Sequence, residues 1–271
     1  MRVGHKITTN MNTIINERYN SIADFKKSLE RHEIGYMYDK RSTNADFRGT
    51  KTHEEADKLL INGDTFTAKI IQGCNTQKKH NRTTNTIKQD FCGFAPNVGA
   101  VVSGNPINMY NVKQTTYRNT KVLNIIYFVG ASYATDKKEL AKAGAKLLNV
   151  INTIEARGYK TNLFVATCLI PQINGRKRAD TRLNFAIKIK DSGKHLNITK
   201  IAYPIAHPSF FRRHCNLWID TVCKDATNSY TVKDTKELTA AADRICKGAK
   251  FVNFYTLSEQ SEEDILKYIL K

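Results

Sequence analysis

The chain has 271 residues, 41% of them apolar, which excludes a disordered or fibrous polymer and leaves room for one large domain or two small ones around a sizeable core. With 43 Lys and Arg against 25 Asp and Glu, the net charge of +18 favours anionic partners: nucleic acid, an acidic protein face or anionic lipid. No apolar run is long enough to cross a bilayer, and the N-terminal stretch lacks an apolar signal-peptide core, so we expect a protein of the cytoplasm without membrane contact.

In chain order, the stretch from Met11 to Gly35 places Ile14, Ile15, Tyr19, Ile22, Phe25 and Leu29 at helical spacing, with Gly35 as its end. The phrase FRGTKTHEEADKLLINGD then pairs Thr52 with Glu55 as a capping box, and Ala56, Leu59 and Leu60 form one apolar face. Residues 72–90 are polar and basic without periodicity and read as a loop. Residues 91–111 carry Gly93, Pro96, Gly99, Gly104 and Pro106 and read as a turn-rich loop leading into the core.

The core itself begins at Val122. Val122–Val129 is a continuous apolar run, the signature of a strand covered on both faces. Asp136 stands at the N-cap of the next helix, Arg157 lies in its last turn, and Gly158 is the left-handed terminator. KTNLFVATCLI is the following strand. RLNFAIKIK alternates apolar and polar residues and, after the short basic turn at Gly175, predicts an antiparallel hairpin at the sheet edge. Pro204 and Pro208 divide the next stretch, with a helix opening at Pro208 that carries Phe210, Phe211, Cys215 and Trp218. A helix over KELTAAADRICKGA, a strand over KFVNFYTL and an amphipathic helix capped by Ser261 complete the chain. The predicted fold is α/β: a mostly parallel sheet with helices on both faces and an antiparallel edge strand. A helical, loop-rich segment over residues 1–115 packs on an α/β domain over residues 116–271.

This order of elements from Val122 onward resembles a von Willebrand factor A-type domain. Four phrases, FRGTKTHEEADKLLINGD, PNVGAVVSGNPINM, AGAKLLNVINTIEARGYKTNLFV and IAHPSFFRRH, also resemble an uncharacterised family of bacteriophage proteins. If a phage encodes the chain, the cytoplasm is the host's, and a place in the virion stays open. An A-type domain that binds magnesium ends its first strand in Asp-x-Ser-x-Ser. Here the corresponding stretch is FVGASYA, in which the Asp is missing and Ser132 remains, with Asp136 beyond it. The expectation is a degenerate site with the metal lost, and Asp136 reads as a helix cap. The resemblance implies a non-enzymatic adaptor that holds protein partners, among them ring-forming ATPases, and no cofactor.

Three basic clusters are candidate anion or nucleic-acid contacts: Lys78, Lys79, His80 and Arg82; Arg176, Lys177 and Arg178; and Arg212 with Arg213. Their lack of interleaved aromatics fits phosphate contact and not base stacking. Arg212 and Arg213 follow Pro208 near a helix start, where anion capture competes with an ion pair to Asp220 or Asp225. A zinc site or Cys/His enzyme drawn from His207, His214, Cys215 and Cys223, or from Cys74, His80 and Cys92, matches no standard spacing. The aromatic residues Phe210, Phe211 and Trp218 read as helix-to-sheet packing. The oligomeric state is not legible.

Overall fold

The computed structural model describes residues 3–9, 12–30, 45–73, 83–116, 121–130 and 135–271. The chain opens with strands β1 (Val3–Thr9) and β2 (Asn12–Tyr19), then helices α1 (Ile22–Leu29), α2 (Ala45–Arg48), α3 (His53–Asn62) and α4 (Thr65–Gly73). Next come β3 (Thr83–Asp90), β4 (Ala95–Pro96), α5 (Val98–Val102) and β5 (Met109–Thr116). They are followed by β6 (Val122–Phe128), α6 (Lys137–Ala156), β7 (Lys160–Ile173), β8 (Arg176–Lys177), β9 (Thr181–Lys190) and α7 (Ile198–Ala206). A π-helical turn over Phe210–Cys215 runs into α8 (Asn216–Val222). The last elements are β10 (Ala226–Thr231), α9 (Thr235–Ile245), β11 (Lys250–Asn253), α10 (Phe254–Glu259) and α11 (Glu262–Leu270).

The main sheet has the order β1-β2-β9-β7-β6-β11, with β8 and β10 paired to the far end of β7. The β7-β6-β11 end is parallel, and β2 runs parallel to β9. Strands β7 and β9 are antiparallel, as the hairpin reading requires. Successive residues of the second half of β6, Ile125–Phe128, point into two different cores, which is why that half is wholly apolar. Ile125 and Tyr127 face the larger core, shared with α1, α3, α4, α6, α7, α8, α10 and α11. Ile126 and Phe128 face a smaller one, closed by Leu238, Ala241, Ala242 and Ile245 of α9. Helices therefore cover both faces, and the α/β class holds.

The N-terminal segment departs from expectation. Asn12–Tyr19 is a strand, and the helix begins only at Ile22, capped by Ser21, whose hydroxyl accepts from Asp24 N at 3.1 Å. Ile15, Tyr19 and Ile22 suit a helical period, but Ile15, Glu17 and Tyr19 equally share one face of a strand. The parallel ladder to β9 decides between them. Consequently β9 stands two places inside the sheet, and the antiparallel edge is β1. The segment before residue 115 packs on the rest of the chain through a shared core. Tyr19, Phe25, Leu60 and Ile71 belong to the same buried cluster as Ile151, Phe185 and Trp218. A buried carboxylate ties them further: Trp218 Nε1 donates to Glu17 Oε2 at 2.9 Å, and the Tyr19 hydroxyl donates to the same oxygen.

Local signals fare better. Thr52 accepts from Glu55 N at 3.1 Å, and the Glu55 carboxylate accepts from Lys51 N at 2.8 Å. Gly158 sits at φ 93°, and Ser261 accepts from Asp264 N at 3.2 Å. Asp136 occupies the N-cap position of α6, although its side chain accepts no capping hydrogen bond there. Residues 83–116, read as loops, instead form an antiparallel three-stranded sheet in the order β3-β5-β4 with α5 beside it. Pro204 does not break the chain but lies in the second half of α7, buried with its neighbours Tyr203 and Ile205. Gly35 lies outside the described residues.

Candidate functional site

Two of the four phrases singled out in the sequence meet in space. The segment Phe47–Asp57 packs on the stretch His207–Cys215, and arginines hold the junction. Arg213 is fully buried; its Nε donates to Thr50 Oγ1 at 2.8 Å, and Nη2 donates to the carbonyls of Thr50 at 2.6 Å and Lys51 at 3.0 Å. Arg212 donates to the carbonyl of Phe47, and its guanidinium stacks over the Phe47 ring, 4.4 Å from the centroid. Ser209 Oγ donates to Arg48 O at 2.5 Å. Gly49 makes this contact feasible: at φ 85°, a Cβ there would stand 2.7 Å from Pro208 Cγ and 2.9 Å from Ser209 Oγ.

This junction places three chemically capable side chains together. His53 and Asp57 lie one turn apart on α3, so they share a face. His214, from the π-helical turn, projects onto that face. Its Nε2 lies 2.9 Å from Asp57 Oδ1, and its Nδ1 lies 2.8 Å from the Tyr203 hydroxyl. His53 Nε2 is 3.4 Å from the same Asp57 oxygen. Lys26 of α1 donates to the other one, Oδ2, at 2.5 Å. The side chain of His214 is wholly covered, whereas those of His53 and Asp57 remain 13% and 20% exposed.

Burial holds both imidazoles neutral. It lowers His53 to about 4, helped by the neighbouring His214, and it lowers His214 although Asp57 opposes the shift. Burial pulls Asp57 upward, but hydrogen bonds from His214 and Lys26 outweigh it and bring the carboxyl to about 2. Two neutral imidazoles and one carboxylate are a set that can hold a metal ion or relay a proton. The sequence carried a signal for it, the His-x-x-x-Asp spacing on a capped helix. What it lacked was any sign that His214 would join them.

The other sequence candidates fall elsewhere. Arg176, Lys177 and Arg178 are exposed, around β8. Arg212 and Arg213 turn inward and spend donors on backbone carbonyls, so their guanidinium groups cross-brace two segments. Lys78, Lys79, His80, Arg82 and Cys74 lie outside the described residues, as does Ser132. Cys215 is fully buried, and burial pushes its thiol well above the ordinary range, which removes it as a nucleophile. Phe210 and Trp218 are wholly buried, with Trp218 against Phe185 at 4.7 Å, as helix-to-sheet packing requires. Among the described residues, one His, Cys, Asp or Glu group of three or more could hold an ion, and it is His53, Asp57 and His214. Again among those residues, no helix is long and apolar enough to cross a membrane.

His207 gives this region a pH dependence. It is the half-buried residue that ends α7, and Ser209 N donates to its Nδ1 at 3.2 Å. Burial lowers it from 6.5 to about 4; Asp64 and Glu55 pull it up, and Lys137 and His214 push it down. The unfolded chain takes up this proton at higher pH than the folded one. Stability is therefore complete above pH 6.5 and falls as pH drops toward 4. We expect His207 to account for a loss of up to about 3 kcal/mol over that window. Urea midpoints measured against pH check it: His207→Gln should flatten the slope, and an unchanged slope would assign the proton uptake elsewhere.

The fold and the site together define an α/β protein with a buried arginine-braced junction that carries a His-Asp-His cluster. The chain belongs to the family described as Domain of unknown function (DUF7192), whose model matches residues 5–266. No curated protein and no solved structure matches it.

Proposed function

We propose that this chain is a non-enzymatic, phage-encoded adaptor, with a core of von Willebrand factor A type that holds a protein partner on the arm formed by residues 87–112. The observation that carries this reading is the character of the arm. None of its residues is buried, yet Ile87, Phe91, Phe94, Val98 and Val102 are 65, 66, 65, 70 and 83% exposed. Apolar exposure of that extent on one small sheet with its connecting turn and helix is characteristic of protein interfaces. The order β6, α6, β7, antiparallel β9, then helices, β11 and α11 supports the A-type core. A ring ATPase is the partner class that the resemblance suggests.

The test is reciprocal affinity purification from cells in which the chain is naturally produced. Phe94→Asp with Val102→Asp should cut stoichiometric retention of the partner at least tenfold without moving the melting temperature, since neither side chain packs in a core. Undiminished retention of the same partner would remove the arm from the interface. A second reading, contact with nucleic-acid backbones, is favoured by the exposed Arg176-Lys177-Arg178 turn. Reversing those three charges should leave the protein partner in place. If the turn neutralises three phosphates, the reversal should also shallow the log affinity against log salt slope for duplex DNA by about 2.7.

A further inference from the structure

We propose that His53, Asp57 and His214 form a binding site for a divalent first-row transition-metal ion, zinc being the simplest occupant. The inference does not depend on the adaptor reading.

Geometry carries it. One ligand atom from each residue lies within 4.8 Å of the other two. Tetrahedral zinc with bonds of roughly 2.0–2.1 Å sets its ligand atoms about 3.4 Å apart. The two histidine nitrogens stand 2.9 and 3.4 Å from Asp57 Oδ1 and within 4.8 Å of each other, so side-chain adjustment alone can bring the three ligand atoms to one ion.

The donor set fits as well. Two imidazoles and a carboxylate suit zinc or ferrous iron and leave coordination positions unfilled by protein. His53 and Asp57 are the partly exposed members, so those positions face the accessible side, while His214 forms the buried wall.

The surroundings orient each ligand. Metal-bound histidines direct their second nitrogen to a hydrogen-bonding partner that fixes ring orientation and tautomer. The Tyr203 hydroxyl, 2.8 Å from His214 Nδ1, is such a partner when it accepts. Lys26 occupies Asp57 Oδ2 and leaves Oδ1 as the single coordinating oxygen. Neutral imidazoles and an ionised carboxylate are also the forms that bind metal; coordination through His214 Nε2 moves the ring's one proton to Nδ1, which then donates to the Tyr203 hydroxyl. The nearby Lys26 ammonium works against a cation, and the site tolerates it because that ammonium is already paired to the carboxylate.

The experiment uses the full chain, stripped with a chelator and titrated with Co²⁺. The expected result is visible d–d absorption that saturates at one equivalent and is displaced by Zn²⁺. His53→Gln and Asp57→Asn, both at partly exposed positions, should each weaken Co²⁺ binding at least tenfold while circular dichroism stays unchanged. Tyr203→Phe should weaken it less, and without loss of stoichiometry. X-ray absorption of the zinc-loaded wild-type chain needs no variant: it should report nitrogen and oxygen neighbours only. Absence of one-equivalent binding, a sulfur neighbour, or unchanged affinity in both folded variants would overturn the assignment.

Discussion

Arg213→Ala is expected to lower the free energy of unfolding by about 3–5 kcal/mol, the range seen when a buried charged partner is removed. The side chain is 0% exposed, and it serves three acceptors on the Thr50–Lys51 turn. Truncation leaves two backbone carbonyls without those donors inside the protein, each costing about 1–3 kcal/mol, and opens a void beside them. Arg213→Lys should recover less than half of the loss, because an ammonium cannot span the same fork of acceptors. Urea unfolding at pH 7 measures both. A loss below about 1 kcal/mol would mean that the junction between Phe47–Asp57 and the π-helical turn is not held by this residue.

Phe25→Ala is expected to cost a similar amount, about 3–5 kcal/mol. Phe25 is fully buried, stacks on Phe185 at 5.1 Å, and meets Tyr19 edge-on at 5.2 Å and Phe210 at 6.2 Å. It reaches from the first helix to a central strand and to the turn that carries the site. The loss should therefore be global. The chain has one tryptophan, and Trp218 contacts both Phe185 and Glu17. Its fluorescence and the far-ultraviolet circular dichroism should shift together in a single transition. If residues before 115 were a separate unit, the circular dichroism would lose part of its amplitude early while Trp218 fluorescence held its midpoint.

The two substitutions address a point on which sequence reasoning and the folded chain part. Features decided within one turn of chain were legible. Thr52 with Glu55, Asp136, Gly158 and Ser261 all mark helix ends where they were expected. The apolar run of β6 announced a strand covered on both faces, and it has two cores against it. Capping, left-handed termination and burial on two sides are local physics, so local sequence reports them.

Other features needed the fold. Ile15, Tyr19 and Ile22 fit a helix or a strand, and only pairing with Thr181–Ile187, far along the chain, selects the strand. Residues 91–111 read as a turn-rich loop, and nothing local could say that Phe91, Phe94, Val98 and Val102 end in solvent. Arg212 and Arg213 left anion capture and an ion pair open, because an arginine's sequence position does not disclose whether phosphates, carboxylates or backbone carbonyls will meet it. His53 and Asp57 could be placed on one helix face, but His214 joins them only because Gly49, Ser209 and Arg213 bring two distant segments into contact. By itself the sequence determined the α/β class, the caps and the buried central strand, since each depends on near neighbours and on hydrophobic period. The tertiary structure decided the edge of the sheet, the fate of the arginines and the composition of the site, since each depends on which remote residues arrive at the same place.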